Sequence, residues 1–200
     1  MNFFDNLPPP PRPPEPETEA RQPAWFKPEA ALAGVVDREL LLAHTADTAV
    51  AVIGLLAYPN GFQFTLSAVL REPDRRHRLF EPMHRLGIYD DEPLPPEFLR
   101  VGLRLADGTT LTNLDRRWPP YPFDAEPDGP LMTQQGGGGG GRRYDQEYWV
   151  WPLPPPGPIT FVCAWPARDV PESRAELDAG LILTAASRAV PLWPDDAPDR

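Results

Sequence analysis

Cysteine is nearly absent from this 200-residue chain. Cys163 is the single one, so no intramolecular disulfide can form and nothing marks an oxidising compartment. Lysine is scarcer than it looks, because Lys27 stands alone among 19 basic residues and the rest are arginine. Positive charge as a whole falls short, and the net charge of −10 argues against nucleic-acid binding along a phosphate backbone. Long apolar runs are missing too. The longest, Ala49 to Tyr58, is about half of what a membrane-spanning helix needs, so no membrane association is expected. Met1-Asn2-Phe3-Phe4-Asp5 lacks the charged and apolar regions of a signal peptide, and the expected location is cytoplasmic.

What the chain has in excess is proline, with 30 in 200 residues, roughly three times ordinary usage. Proline breaks helix interiors and is barred from central strands, so short elements between rigid turns are expected. Residues 1–24 are too proline-rich and acidic to bury a core. They are expected to be a disordered tail sampling polyproline II, with Pro8-x-x-Pro11-Arg12 as a groove-ligand pattern that also arises by chance. Residues 25–193 are expected to form a single β-rich domain, and 194–200 an acidic tail.

Hairpin signals recur inside that domain. Ala49–Tyr58 meets Pro59-Asn60-Gly61 and returns as Phe62–Leu70, with Phe62, Phe64, Leu66, Ala68 and Leu70 on one face. The Asn-Gly pair is expected to supply positive φ angles for a tight turn. Leu99, Val101, Leu103 and Leu105 alternate with Arg100, Gly102 and Arg104, then turn at Asp107-Gly108. A third hairpin is expected from Tyr148–Leu153, the turn Pro154-Pro155-Pro156-Gly157-Pro158, and Ile159–Trp165. Val170-Pro171-Glu172-Ser173 is expected to open a helix reaching about Ala189, with Val170, Leu177, Leu181, Ala185 and Ala189 as its apolar stripe. The fold class expected is mainly β: β-sandwich-like antiparallel hairpins with one C-terminal α-helix.

Residues 115–143 read as a long loop ending in six glycines, Gly136–Gly141, followed by Arg142 and Arg143. Consecutive backbone N–H groups can form an anion nest. A phosphate loop, however, lies between a strand and a helix, whereas here a loop precedes and a strand follows. A flexible surface loop acting as a hinge or flap is the better fit. Trp149, Trp151 and Trp165 are candidates for stacking on a ligand; alternation puts Trp149 and Trp151 on one face and Tyr148 on the other, and core packing is expected for one of the two faces. Arg75 and Arg76 lie in the only basic cluster, residues 71–85, which Glu72, Asp74 and Glu81 dilute.

His44, His77 and His84 lack the pairing with Cys or carboxylate that a metal site needs, so no metal and no cofactor are expected. Cys163 reads as a buried, inert thiol and no serine sits in a nucleophile elbow. Tyr58-Pro59-x-Gly61-Phe62-x-Phe64, the glycine run, and Tyr148-Trp149-Val150-Trp151-Pro152-Leu153-Pro154-Pro155 together resemble an uncharacterised protein family of high-GC actinobacteria over residues 30–193. That resemblance implies no activity.

These residues favour a non-enzymatic protein-binding or assembly module. Its expected partner is another protein, contacted through Arg142, Arg143, Tyr148, Trp149 and Trp151, with Arg75 and Arg76 as a second surface. The alternative is a hydrolase or small-ligand enzyme with its site in the 115–143 loop, using Asp115, Asp124 or Arg142. The oligomeric state is left open.

Overall fold

The computed structural model describes residues 22–73, 94–114 and 126–193. Two antiparallel sheets face one another. The larger is built from β2 (Gly34–Val35), β3 (Leu40–His44), β4 (Thr48–Ala57), β5 (Phe62–Leu70), β8 (Leu131–Gly140) and β9 (Arg143–Trp151). Its order is β2-β4-β5-β9-β8, with β3 also pairing β4. The smaller contains β6 (Arg100–Arg104), β7 (Thr110–Thr112), β10 (Pro158–Trp165) and β11 (Val170–Asp178), in the order β11-β10-β6-β7. A two-stranded ribbon pairs β1 (Ala31–Leu32) with β12 (Val190–Pro191), and among the described residues one α-helix, α1, spans Ala179–Ala186.

Alternation within each strand decides the packing. Phe62, Phe64, Leu66, Ala68 and Leu70 of β5 face inward against Val101, Leu103, Phe161 and Cys163 of the smaller sheet, and all are buried. Phe64 stacks on Tyr148 at 5.2 Å and meets the edge of Phe161 at 5.4 Å, which places the aromatic centre of the sandwich between β5, β9 and β10. The mainly β architecture with a helix near the C-terminus is therefore as the sequence leads one to expect.

Three local expectations change. Val170–Asp178 is a strand and not the first half of a helix. Ser173, Ala175 and Leu177 alternate with Glu172, Arg174, Glu176 and Asp178, and this period of two registers on β10 with Ile159 opposite Leu177. The helix begins only after Asp178, whose carboxylate accepts from the Gly180 N–H at 2.9 Å as an N-cap. Its Ala179, Ile182, Ala185 and Ala186 then plug the end of the sandwich beside β2 and β4.

The proline-rich segment after Trp151 is not a hairpin turn. β9 belongs to the larger sheet and β10 to the smaller, so residues 152–157 carry the chain across the sandwich, starting with a cis Trp151-Pro152 bond. The Asn60-Gly61 turn forms where expected but works differently. Neither residue adopts a positive φ. A four-residue loop is closed by the Tyr58 N–H donating to the Gly61 carbonyl at 2.8 Å. Gly61 is needed for proximity, since a Cβ there would lie 2.4 Å from the Val150 oxygen and 2.6 Å from Cζ2 of Trp149. The Asp107-Gly108 turn does use a left-handed glycine, at φ 89°.

Residues 115–125, most of the loop expected before the glycines, lie outside the described residues, as do 1–21, 74–93 and 194–200. The predicted basic cluster with Arg75 and Arg76 falls there. So do the acidic tail and nearly all of the proline-rich lead.

Candidate functional site

The six-glycine run is not a loop. Gly136–Gly140 are the second half of β8, and after a register shift between Gln134 and Gly137 they pair with β9: Gly137 opposite Gln146, Gly138 opposite Asp145, Gly139 opposite Tyr144 and Gly140 opposite Arg143. Only Gly141, at φ 64°, turns the hairpin. Glycine forms a strand poorly by itself because it has the most backbone entropy to lose. Here β9 supplies the missing incentive. A Cβ on Gly139 would lie 2.1 Å from the Arg143 carbonyl oxygen, and one on Gly137 would lie 2.6 Å from Oε1 of Gln146. At Gly136, Gly138 and Gly140 a Cβ would meet nothing within 4 Å. Every second glycine is thus required by a close backbone approach, and the others leave an exposed, bare ribbon.

A polar layer between the sheets anchors this ribbon. Gln146 is buried, and its amide donates to the Gly136 carbonyl while its Oε1 accepts from Gln134 at 2.5 Å and from the Tyr144 hydroxyl at 3.0 Å. Beside it, the Asn113 amide donates to the Leu99 carbonyl at 2.9 Å and to the Tyr148 hydroxyl at 3.4 Å. These groups line a cavity of about 10 Å³, room for a single water. Burial raises the pKa of both Tyr144 and Tyr148 above the ordinary phenol value, with the Asn113 hydrogen bond opposing it in part at Tyr148. Burial thus favours the neutral hydroxyl at both, and as neutral groups they hydrogen-bond to Gln146 and Asn113.

The tryptophans are consumed in a second core on the outer face of the larger sheet. Trp149 is 1% exposed, and its indole N–H donates to the Trp25 carbonyl at 2.8 Å. Tyr58 meets it edge-on at 5.7 Å. The strap that covers it, residues 23–28, is pinned by the Asn60 amide, which donates to the carbonyls of Ala24 at 2.6 Å and Phe26 at 2.8 Å. Lys27 reaches over the Tyr58 ring, 6.0 Å from its centre, and donates to Gln63 at 2.8 Å. Tyr58 has its pKa raised, first by burial and second by the nearby charge of Glu147.

The structure therefore separates the residues that the sequence grouped together. Tyr148 faces the main core, Trp149 lies in the second core, and Trp151 is half-buried against that second core. The open stacking platform is gone because both faces of β9 are covered, where core packing was expected on only one. Arg142 and Arg143 remain exposed at the hairpin tip. The Arg142 carbonyl accepts from the Leu70 N–H at 2.7 Å, and Arg143 Nε donates to the Asp145 carboxylate at 2.9 Å, a solvent-facing pair. For the enzyme alternative, Asp115 and Asp124 lie outside the described residues, and Arg142 makes no ion pair with any described residue. Among the described residues no group of three His, Cys, Asp or Glu gathers as a metal site. Cys163 is buried, and desolvation pushes its thiol up to about 11.

One feature had no signal in the sequence: the outer edge of β8. Sheet edges carry unpaired backbone donors and acceptors, and proteins defend them. The β7 edge is three residues long, the β2 edge two, and β3, which pairs only with β4, five. The β11 edge carries Pro171 and the charges of Glu172, Arg174, Glu176 and Asp178. β8 is ten residues long, contains neither proline nor charge, and pairs on one side only among the described residues; its one irregularity is a register shift between Gln134 and Gly137, ahead of the glycines that pair with β9. No helix among the described residues is long and apolar enough to cross a membrane. Comparison of the chain with protein-family models, with curated proteins and with solved structures finds no match in any of the three.

Proposed function

We propose that this chain is a non-enzymatic protein-binding or assembly module whose glycine-rich hairpin accepts an extended strand from another protein along the outer edge of β8. The observation that carries this reading is the contrast between edges: the other edges are short or charged, and the longest, β8, has no strand on its outer side among the described residues. Strand addition draws its affinity from main-chain hydrogen bonds, which a glycine ribbon offers without side-chain obstruction. Gly136, Gly138 and Gly140 leave room for the partner's bulky side chains to lie across the ribbon, as aromatic residues do over glycine in paired strands. Arg142 and Arg143 at the tip add positive charge near where such a strand would begin or end.

A photo-crosslinking side chain placed at Gly138 of the full chain, in host cell extract, tests this. The expected outcome is a discrete crosslinked protein that disappears when Gly136→Lys and Gly140→Lys are added, because lysine blunts an edge without disturbing β9. If the same crosslinker at Glu172, on the defended β11 edge, yields the same products, the reading fails.

A further inference from the structure

The outer face of the smaller sheet, on the opposite side of the molecule's main core from β8, carries a concavity of about 310 Å³. It follows from the alternation of β6. Val101 and Leu103 point into the core, so Arg100, Gly102 and Arg104 point outward. Across the sheet, Gly102 registers with Val162 on β10 and Thr112 on β7, and Ala164 registers with Arg100. One strand further, Arg174 registers with Val162. The missing side chain at Gly102, where a Cβ would lie 3.3 Å from the Thr112 methyl, leaves a shallow dip beside Thr112 and Val162 that continues over Ala164, with an arginine two residues away, roughly 7 Å, in each direction along the strand.

The charges around this dip are unbalanced. Arg174 is paired with Glu172 on its own strand. Arg100 and Arg104 make no ion pair with any described residue. The Nε of Arg100 is buried without a hydrogen-bond partner among the described residues. A buried guanidinium N–H left without an acceptor is unusual in a folded protein and calls for one. In a chain of net charge −10, two arginines with no ion pair among the described residues form a local exception.

We propose that this concavity binds a small organic anion, a carboxylate or phosphate head joined to an apolar body. The head lies above Gly102 between Arg100 and Arg104, and the body lies on Val162 and Ala164. Guanidinium groups suit such oxyanions because their planar N–H forks match two oxygens at once. The apolar floor selects against free inorganic ions. This site is independent of the β8 edge, so either can fail without the other.

The test uses the full chain with benzoate, phenyl phosphate and inorganic phosphate as probes, followed by titration calorimetry and by the Nε–H NMR signals of the arginines. Saturable binding of benzoate or phenyl phosphate is expected, with the Arg100 Nε–H signal shifting. The stronger of the two identifies the head group. Arg100→Gln and Arg104→Gln should each weaken binding roughly ten-fold, the loss of one charge-assisted hydrogen bond. Arg38→Gln, an exposed arginine elsewhere, should leave it unchanged. The proposal is overturned if neither organic probe saturates, if inorganic phosphate binds as tightly as phenyl phosphate, or if Arg38→Gln weakens binding as much as Arg100→Gln. Should Arg100→Gln fail to fold, the wild-type Arg100 signal decides: a signal unmoved at saturation overturns the site.

Discussion

Alanine substitution through the glycine run gives a sharp test of whether Gly136–Gly140 form a strand. None of these five residues has a positive φ, so alanine can adopt each backbone conformation. What differs is space. At Gly136, Gly138 and Gly140 the new methyl meets nothing within 4 Å. Alanine there restricts the unfolded chain and should stabilise by about 0.4–1 kcal/mol per site. At Gly139 the methyl would sit 2.1 Å from the Arg143 oxygen and 2.7 Å from Cα of Tyr144, both backbone atoms that cannot swing aside. At Gly137 it would press on Oε1 of Gln146, which is held by Gln134 and Tyr144. Overpacking of this kind costs about 1–3 kcal/mol, which outweighs the same entropic gain. Equilibrium unfolding of the full chain in urea should therefore show a zigzag. Stability rises slightly at 136, 138 and 140 and falls at 137 and 139, and the triple variant at the even positions gains about 1–3 kcal/mol if the sites add. Were Gly139→Ala as stable as Gly138→Ala, the β8–β9 register would be refuted, and with it the strand edge on which the proposed function rests.

Other expectations follow from the same geometry. Trp149→Ala should cost about 3–5 kcal/mol in urea unfolding, while Trp149→Phe, which keeps a ring but loses the bond to the Trp25 carbonyl, should cost less and make residues 23–28 easier to cleave by protease. Gly61→Ala should destabilise by about 1–3 kcal/mol through its clash with Val150 and Trp149, measurable as a lower Tm. Cys163 in the native protein should react with a thiol reagent far more slowly than in urea, because it is buried and its thiolate is disfavoured. The same shift has a sign for stability. The folded-state pKa of Cys163 is raised from 9.0 to about 11, so its contribution is fully present below pH 9 and is lost as pH rises towards 11. The raised tyrosines 58, 144 and 148 act in the same direction from about pH 10 upward. Thermal unfolding between pH 8 and 11 should show stability falling, and a flat profile would contradict the burial of these groups.

Periodicity explains which features could be read in advance. The Phe62–Leu70 and Leu99–Leu105 strands show their inward face directly as alternating apolar residues, because a half-buried strand must segregate side chains with a period of two. The same pattern existed at Ser173-Ala175-Leu177. It was masked by residues that favour helices and by Pro171 in a position suited to a helix start. Pairing with β10 overrode that local preference.

Composition, charge and alternation determined by themselves that this chain folds as a mainly β, antiparallel structure with a helix near its C-terminus. Those properties depend on each residue and its near neighbours. The partnership of strands was decided only in three dimensions. Glycines carry no side-chain pattern, so nothing local distinguishes a glycine loop from a glycine strand until β9 lies beside it. Trp149 likewise looks the same in sequence whether it stacks on a ligand or, as here, is roofed by Trp25, 124 residues away along the chain. The one-sided pairing of β8 among the described residues and the arginine-rimmed dip beside Gly102 are properties of neighbouring strands, and the chain order alone does not say which strands those will be.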